Sequence, residues 1–164
     1  MNPTTFLEYL DEPTRTMVIA KLKAMGYRPE RLMSSGDSFF KALERALGRA
    51  EFERVMKMAE SIDATVRRLL QALDDPNRFI TTAGEVPDEV VERLDGNGTF
   101  RANRGLGCPD DLAKASALAK ALFKYAPKER EKLAALAEKL WELATEQCSV
   151  LNALARQTYE VEEY

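Results

Sequence analysis

The sequence predicts an all-α protein, and three observations carry that expectation. Apolar residues recur at helical spacing along most of the 164 residues. Phe52, Val55, Ala59, Ile62, Val66, Leu69 and Leu73 follow one another at steps of 3, 4, 3, 4, 3 and 4, an unbroken a/d stripe over three heptads. No segment alternates apolar and polar residues as a half-buried strand would. The expected architecture is a compact bundle of five to seven helices in a single domain over residues 1–164, built on two long helices at about 50–73 and 128–158.

Each element has its own signals. Phe6, Leu7 and Leu10 mark a short first helix. Asp11 is placed to cap a second over roughly 12–25, with Pro13 tolerated in its first turn and Gly26 as its stop. Pro29 opens a brief helical turn with Leu32 and Met33. Ser34 to Asp37 read as a loop whose Ser35 or Asp37 can cap a helix carrying Phe39, Phe40, Leu43, Ala46 and Leu47 up to Gly48. The heptad helix follows, ended by Asp74-Asp75-Pro76. Its narrow stripe asks for a partner helix at a shallow angle, either within the chain or in a second copy, so the expected state is a monomer or a homodimer.

From 77 to 109 the pattern breaks up. Phe79 and Ile80 suit a short helix, and Pro87-Asp88-Glu89 starts another with Val90, Val91 and Leu94. Four of the eight glycines then fall within a Gly-rich stretch at about 95–109, which reads as a long mobile loop. Asp110 and Asp111 suit the start of the next helix, whose Leu112, Ala115, Leu118, Ala119 and Leu122 form an Ala-rich face fit for close helix approach. After Pro127 the last helix gathers Leu133, Leu136, Ala137, Leu140, Ala144, Cys148, Leu151, Leu154 and Ala155 on one face. Gln147 lies on the same face, either buried with a partner or at the wet edge of the stripe. The acidic end, Glu160 to Tyr164, is expected to fray.

Composition limits function. Apolar residues make up 45% and charged residues 31%, which favours a folded chain with a charged surface over disorder. A chain of this length can bury enough surface to fold without a disulfide or a metal. The net charge of −3 supplies no global pull toward nucleic acid or anionic lipid. Histidine is absent, which excludes Ser-His-Asp and Cys-His catalysis, HExxH zinc sites and Glu-x-x-His di-iron sites. No apolar run is long enough to span a bilayer, and the first residues lack the basic and apolar regions of a signal peptide. Two isolated cysteines, Cys108 and Cys148, with no CxxC, read as thiols in a reducing compartment, and the expected location is cytoplasmic.

Candidate chemistry centres on the Gly-rich stretch. Phe100, Arg101 and Arg104 on a flexible segment could insert into a partner groove or hold a phosphate; the plainer reading packs Phe100 on the bundle. The Walker pattern is absent, because no Gly-Lys-Ser/Thr occurs. A calcium loop starting at Asp95 fails at its sixth position, where Phe100 replaces the required glycine. Cys108 near a helix start has no base partner and reads as an inert thiol, and Cys148 as core. Lys120 with Lys124, Lys41 with Arg45, Lys128 with Lys132, and the Arg67-Arg68 pair recur at helical spacing or as neighbours, interleaved with acids. Asp74-Asp75 and Asp110-Asp111 read as helix-end acids, and Ile19 to Leu47 is a poor helix-turn-helix because its middle piece is too short.

These readings lead to a non-enzymatic protein-interaction module (a small adaptor, inhibitor or complex subunit) binding another protein through Phe100, Arg101 and Arg104, with no cofactor or metal. Two alternatives accompany it. One is an accessory subunit of a nucleoprotein complex that binds a nucleic acid backbone through Arg101, Arg104, Lys120 and Lys124. The other is an enzyme working through carboxylates or a thiol alone.

Overall fold

The computed structural model describes residues 1–151 and 153. The expectations for Leu154, Ala155 and the acidic end at 160–164 lie outside them. The fold is all-α, with no strand among the described residues. Among the described residues there are ten α-helices and one 3-10 turn where five to seven helices were expected; most of the short ones were expected, and α8 occupies the stretch that read as a loop. The chain divides into two compact units, Met1–Ala64 and Thr65–Tyr164, and one helix, α5, runs from the first into the second.

The first unit holds α1 (Pro3–Tyr9), α2 (Glu12–Ala24), α3 (Pro29–Leu32), α4 (Gly36–Leu47) and the first two-thirds of α5 (Arg49–Leu70). Its caps are local. Asn2 accepts from the Thr5 amide at 2.8 Å, and Asp11 accepts from the Thr14 amide at 2.8 Å, the role its position predicts. Ser35 occupies the cap position of α4 but makes no side-chain cap bond; its hydroxyl bonds Ser38 instead. Phe6, Phe39 and Phe40 meet edge to face with ring centroids 5.2–5.9 Å apart, the geometry that ring quadrupoles favour. Arg15 donates to the carbonyls of Leu7 and Leu10, satisfying the end of α1. Tyr9 donates to Asp63 of α5 at 3.1 Å.

The heptad stripe is buried within this chain: Val55, Ala59, Ile62, Val66, Leu69 and Leu73 are all inaccessible, and only Phe52 is partly open. The intramolecular reading of the stripe therefore holds. Helix α5 ends at Leu70, so Leu73 completes the stripe from the turn that follows.

The second unit contains α6 (Pro76–Gly84), α7 (Asp88–Leu94), α8 (Thr99–Gly105), α9 (Asp110–Tyr125), a 3-10 turn (Pro127–Glu129) and α10 (Arg130–Gln147). Helix α9 is its centre and packs against α6, α7, α8 and α10. Its buried residues run nearly all round, with Ala113, Ala115, Ala117 and Ala119 keeping neighbouring backbones close. Helix α10 ends at Gln147, earlier than expected, because the chain turns extended at Cys148. Gln147 is exposed, which settles it at the wet edge of the stripe.

Candidate functional site

Two expectations about residues 95–109 change in the structure. The stretch is not one open loop: α8 occupies its middle. The buried Asp95 carboxylate accepts from the Phe100 amide at 2.9 Å and so anchors the first turn, while Gly98 supplies the left-handed φ of +71° that starts it. Phe100 is 1% exposed, so its ring is core and not a free anchor. The i, i+4 spacing on α8 sets the Arg104 guanidinium over that ring, 4.3 Å from its centroid.

The second change concerns the cysteines. Cys108 and Cys148 are not isolated thiols but a disulfide joining residues 40 apart. Spacing alone could not reveal this, since proximity is made by the packing of α9 and α10 between them. The bond removes the argument for a reducing compartment. No helix among the described residues is long and apolar enough to cross a membrane. The disulfide fastens the α8–α9 connection to the end of α10. Nearby, the Val150 amide donates to the Leu106 carbonyl at 3.2 Å. Gly107, at φ +75°, lies so close to Ser149 that a Cβ there would collide with its hydroxyl.

The arginines of α8 are already engaged. Arg101 pairs with Glu92 at 2.9 Å. Arg104 donates to Asp110 at 2.7 Å and to Asp88 at 3.4 Å. Between these two acids sits Lys114, a residue the sequence reading passed over, buried to 6% exposure on the Ala-rich helix. Its ammonium reaches the Val86 carbonyl at 2.7 Å, Asp88 at 3.1 Å, the Gly84 carbonyl at 3.5 Å and Asp110 at 3.7 Å. Every donor of a buried charge is thereby satisfied, the condition under which such burial is tolerated. The Lys114 hydrogen bond is the main cause that holds the Asp88 carboxyl below its usual range, with the charges of Lys114 and Arg104 adding to it. The Asp110 bond raises Arg104 above the usual guanidinium value. The cluster ties α7, α8 and α9 together, and its groups are spent on one another. The i, i+4 pair Asp110–Lys114 was its one legible trace in the sequence.

An open site lies elsewhere in the second unit. A groove of about 380 Å3 runs between α9 and α10. From α9 it takes Ser116, Ala119, Lys120 and Phe123, and from α10 Ala137, Leu140, Trp141 and Ala144. Each set has the spacing i, i+3, i+4, i+7, so each wall is one helical stripe two turns, or about 10 Å, long. Thr99 and Asn103 of α8 and Leu151 complete the lining. The groove has one charged residue, Lys120, which has no ion-pair or hydrogen-bond partner among the described residues.

Trp141 stands at the groove with 62% of its surface exposed. Its position follows from helix geometry. Leu133, Leu136, Leu140 and Ala144 form the buried stripe of α10, and Trp141 is set about 100° round from Leu140, beyond the stripe's edge. The sequence reading missed Trp141 and Phe123; the pair Ala137–Trp141 at i, i+4 beside the core stripe was the available signal. Of the four expected cations, Lys120 alone lines this groove, Lys124 lies over the Tyr125 ring at 5.4 Å, and the two arginines hold carboxylates. Among the described residues no group of three acids or cysteines is arranged to hold a metal ion.

No protein-family model, curated protein or solved structure matches the chain, so its class is defined by the fold and this groove: an all-α protein with a largely apolar trough between two helices that, among the described residues, carries one charge.

Proposed function

We propose that this protein is a non-enzymatic protein-interaction module whose docking surface is the α9–α10 groove. The observation that carries the reading is Trp141. An indole this exposed, beside a concave apolar surface that also contains Phe123, Leu140 and Leu151, is the residue type and setting that dominate interface energetics. The groove's polar side chains are one amine, one amide and two hydroxyls, an equipment suited to orienting a bound group. The reading moves the partner surface away from Phe100, Arg101 and Arg104, whose side chains are occupied within the unit.

The test is photo-cross-linking in the source cells with a photoreactive residue at the exposed Glu142, next to Trp141, and a control at the exposed Glu30 of the first unit. A discrete adduct with a protein from position 142, lost on adding Trp141→Ala and absent from position 30, is the expected result. Adducts indifferent to Trp141, or none at all, overturn it.

A further inference from the structure

We infer, on the footing of that reading, that the groove's occupant is an amphipathic α-helix of a partner protein carrying an acidic residue beside its apolar stripe. Shape is the first argument. The two walls are stripes on adjacent helices joined by the short Pro127–Glu129 turn, and each stripe is two turns long. Ala119, Ala137 and Ala144 line it, and such small side chains let a third helix approach closely. Trp141 and Phe123 then interleave with residues spaced i, i+3 or i+4, i+7 on the incoming helix, over a floor that includes the buried Leu140, the way a helix is read by a groove. One end is closed by Leu151 together with Asn103 of α8, and the disulfide holds the chain segments that carry them.

Charge is the second argument. Among the described residues Lys120 is the only ionic group lining the trough, and no carboxylate answers it. Its neighbour in kind, Lys114 six residues earlier on the same helix, is fully matched by Asp88, Asp110 and carbonyls. Among the described residues, the unit compensates the cation it buries and offers no carboxylate to the one at the groove. An Asp or Glu on the partner helix supplies the missing charge at the moment apolar contact desolvates the ammonium stem.

The experiment uses the full oxidised chain and fluorescein-labelled helix-favouring peptides with a fixed leucine stripe, flanked at one position by Glu or by Lys. Anisotropy is the readout, and circular dichroism checks each variant's fold. The expected result is that the Glu peptide binds about fivefold more tightly than the Lys peptide, a difference of the size an exposed ion pair supplies. Lys120→Glu reverses the order, and Trp141→Ala weakens both. Equal binding of the two peptides, or an order unchanged by Lys120→Glu, overturns the inference. So does saturable binding of a small carboxylate such as decanoate when neither peptide binds. If position 142 still cross-links a protein in those cases, the interaction module stands and only its acidic-helix occupant falls. If neither peptides nor cross-links appear, both fall.

Discussion

The two units of this chain solve the same problem, holding short helices together, with different chemistry. The first relies on a trio of phenylalanine rings, two local carboxamide or carboxylate caps and Arg15 closing the end of α1. The second adds a disulfide and a buried ammonium shared by two acids and two carbonyls. The difference follows from side-chain size. Helix α9 places alanine at five of its sixteen positions, which allows close approach but buries little area per residue, so specific clamps set the positions of its neighbours. Those clamps also position the proposed docking surface, because α9 and α10 are the walls of the groove and α8 completes its lining.

The comparison can be broken most severely in the first unit. Phe39→Ala removes a fully buried ring that contacts two others and should destabilise by up to about 5 kcal/mol. Hydrogen exchange resolved by residue should show the loss in α1, α2 and α4. The second unit's counterpart is its cross-link. Cys108→Ser with Cys148→Ser opens a closure of 40 residues and should cost about 4 kcal/mol by the loop-entropy relation. A thiol reductant acting on the native chain should have the same effect, in denaturant melts with and without dithiothreitol. Loss of exchange protection in α9 and α10 before α1 and α4 would support unequal dependence on the bond; loss in parallel would remove the contrast.

Lys114→Ala should cost about 2–3 kcal/mol, since it strands the Val86 carbonyl and uncouples Asp88 from Asp110. Acid tests the same node. The Asp88 carboxyl is held below its usual value by Lys114 and Arg104, so its contribution is present above the unfolded carboxyl pKa of about 4 and disappears as pH falls through the lower folded value. Thermal melts should therefore be flat with respect to this group from pH 7 to about 5 and fall below about 4. Lys114→Ala should shrink that acid-dependent part. The smallest expected effect is local: Asp11→Ala removes the cap on Thr14 and should cost about 1 kcal/mol, read as faster exchange in the first turn of α2.

Much of this was legible because it depends on neighbours in sequence. Asp11, Pro13 and Gly26 bracket α2 as placed, and Pro29 opens α3. The heptad stripe on α5 is core as its period demands. Where the reading failed, a contact between distant residues made the difference. The 95–109 stretch looked like a loop because four glycines break up any apolar period there; Asp95 and a buried Phe100 nonetheless hold a seven-residue helix in it. Trp141 and Lys120 of the candidate site were visible as residues but not as neighbours, since they lie on different helices.

The sequence by itself therefore determined the all-α class, most helix starts and stops, and which stripe of each long helix faces inward. These follow from backbone preferences and from a period of about 3.6 residues, both local. Only the tertiary structure decided that Cys108 meets Cys148, that Lys114 is buried between Asp88 and Asp110, and that a groove lined by Lys120 lies beside Trp141. Those facts depend on how α8, α9 and α10 pack, and the distance between two helices is fixed by side-chain volume summed over a whole interface, which no short window of sequence contains.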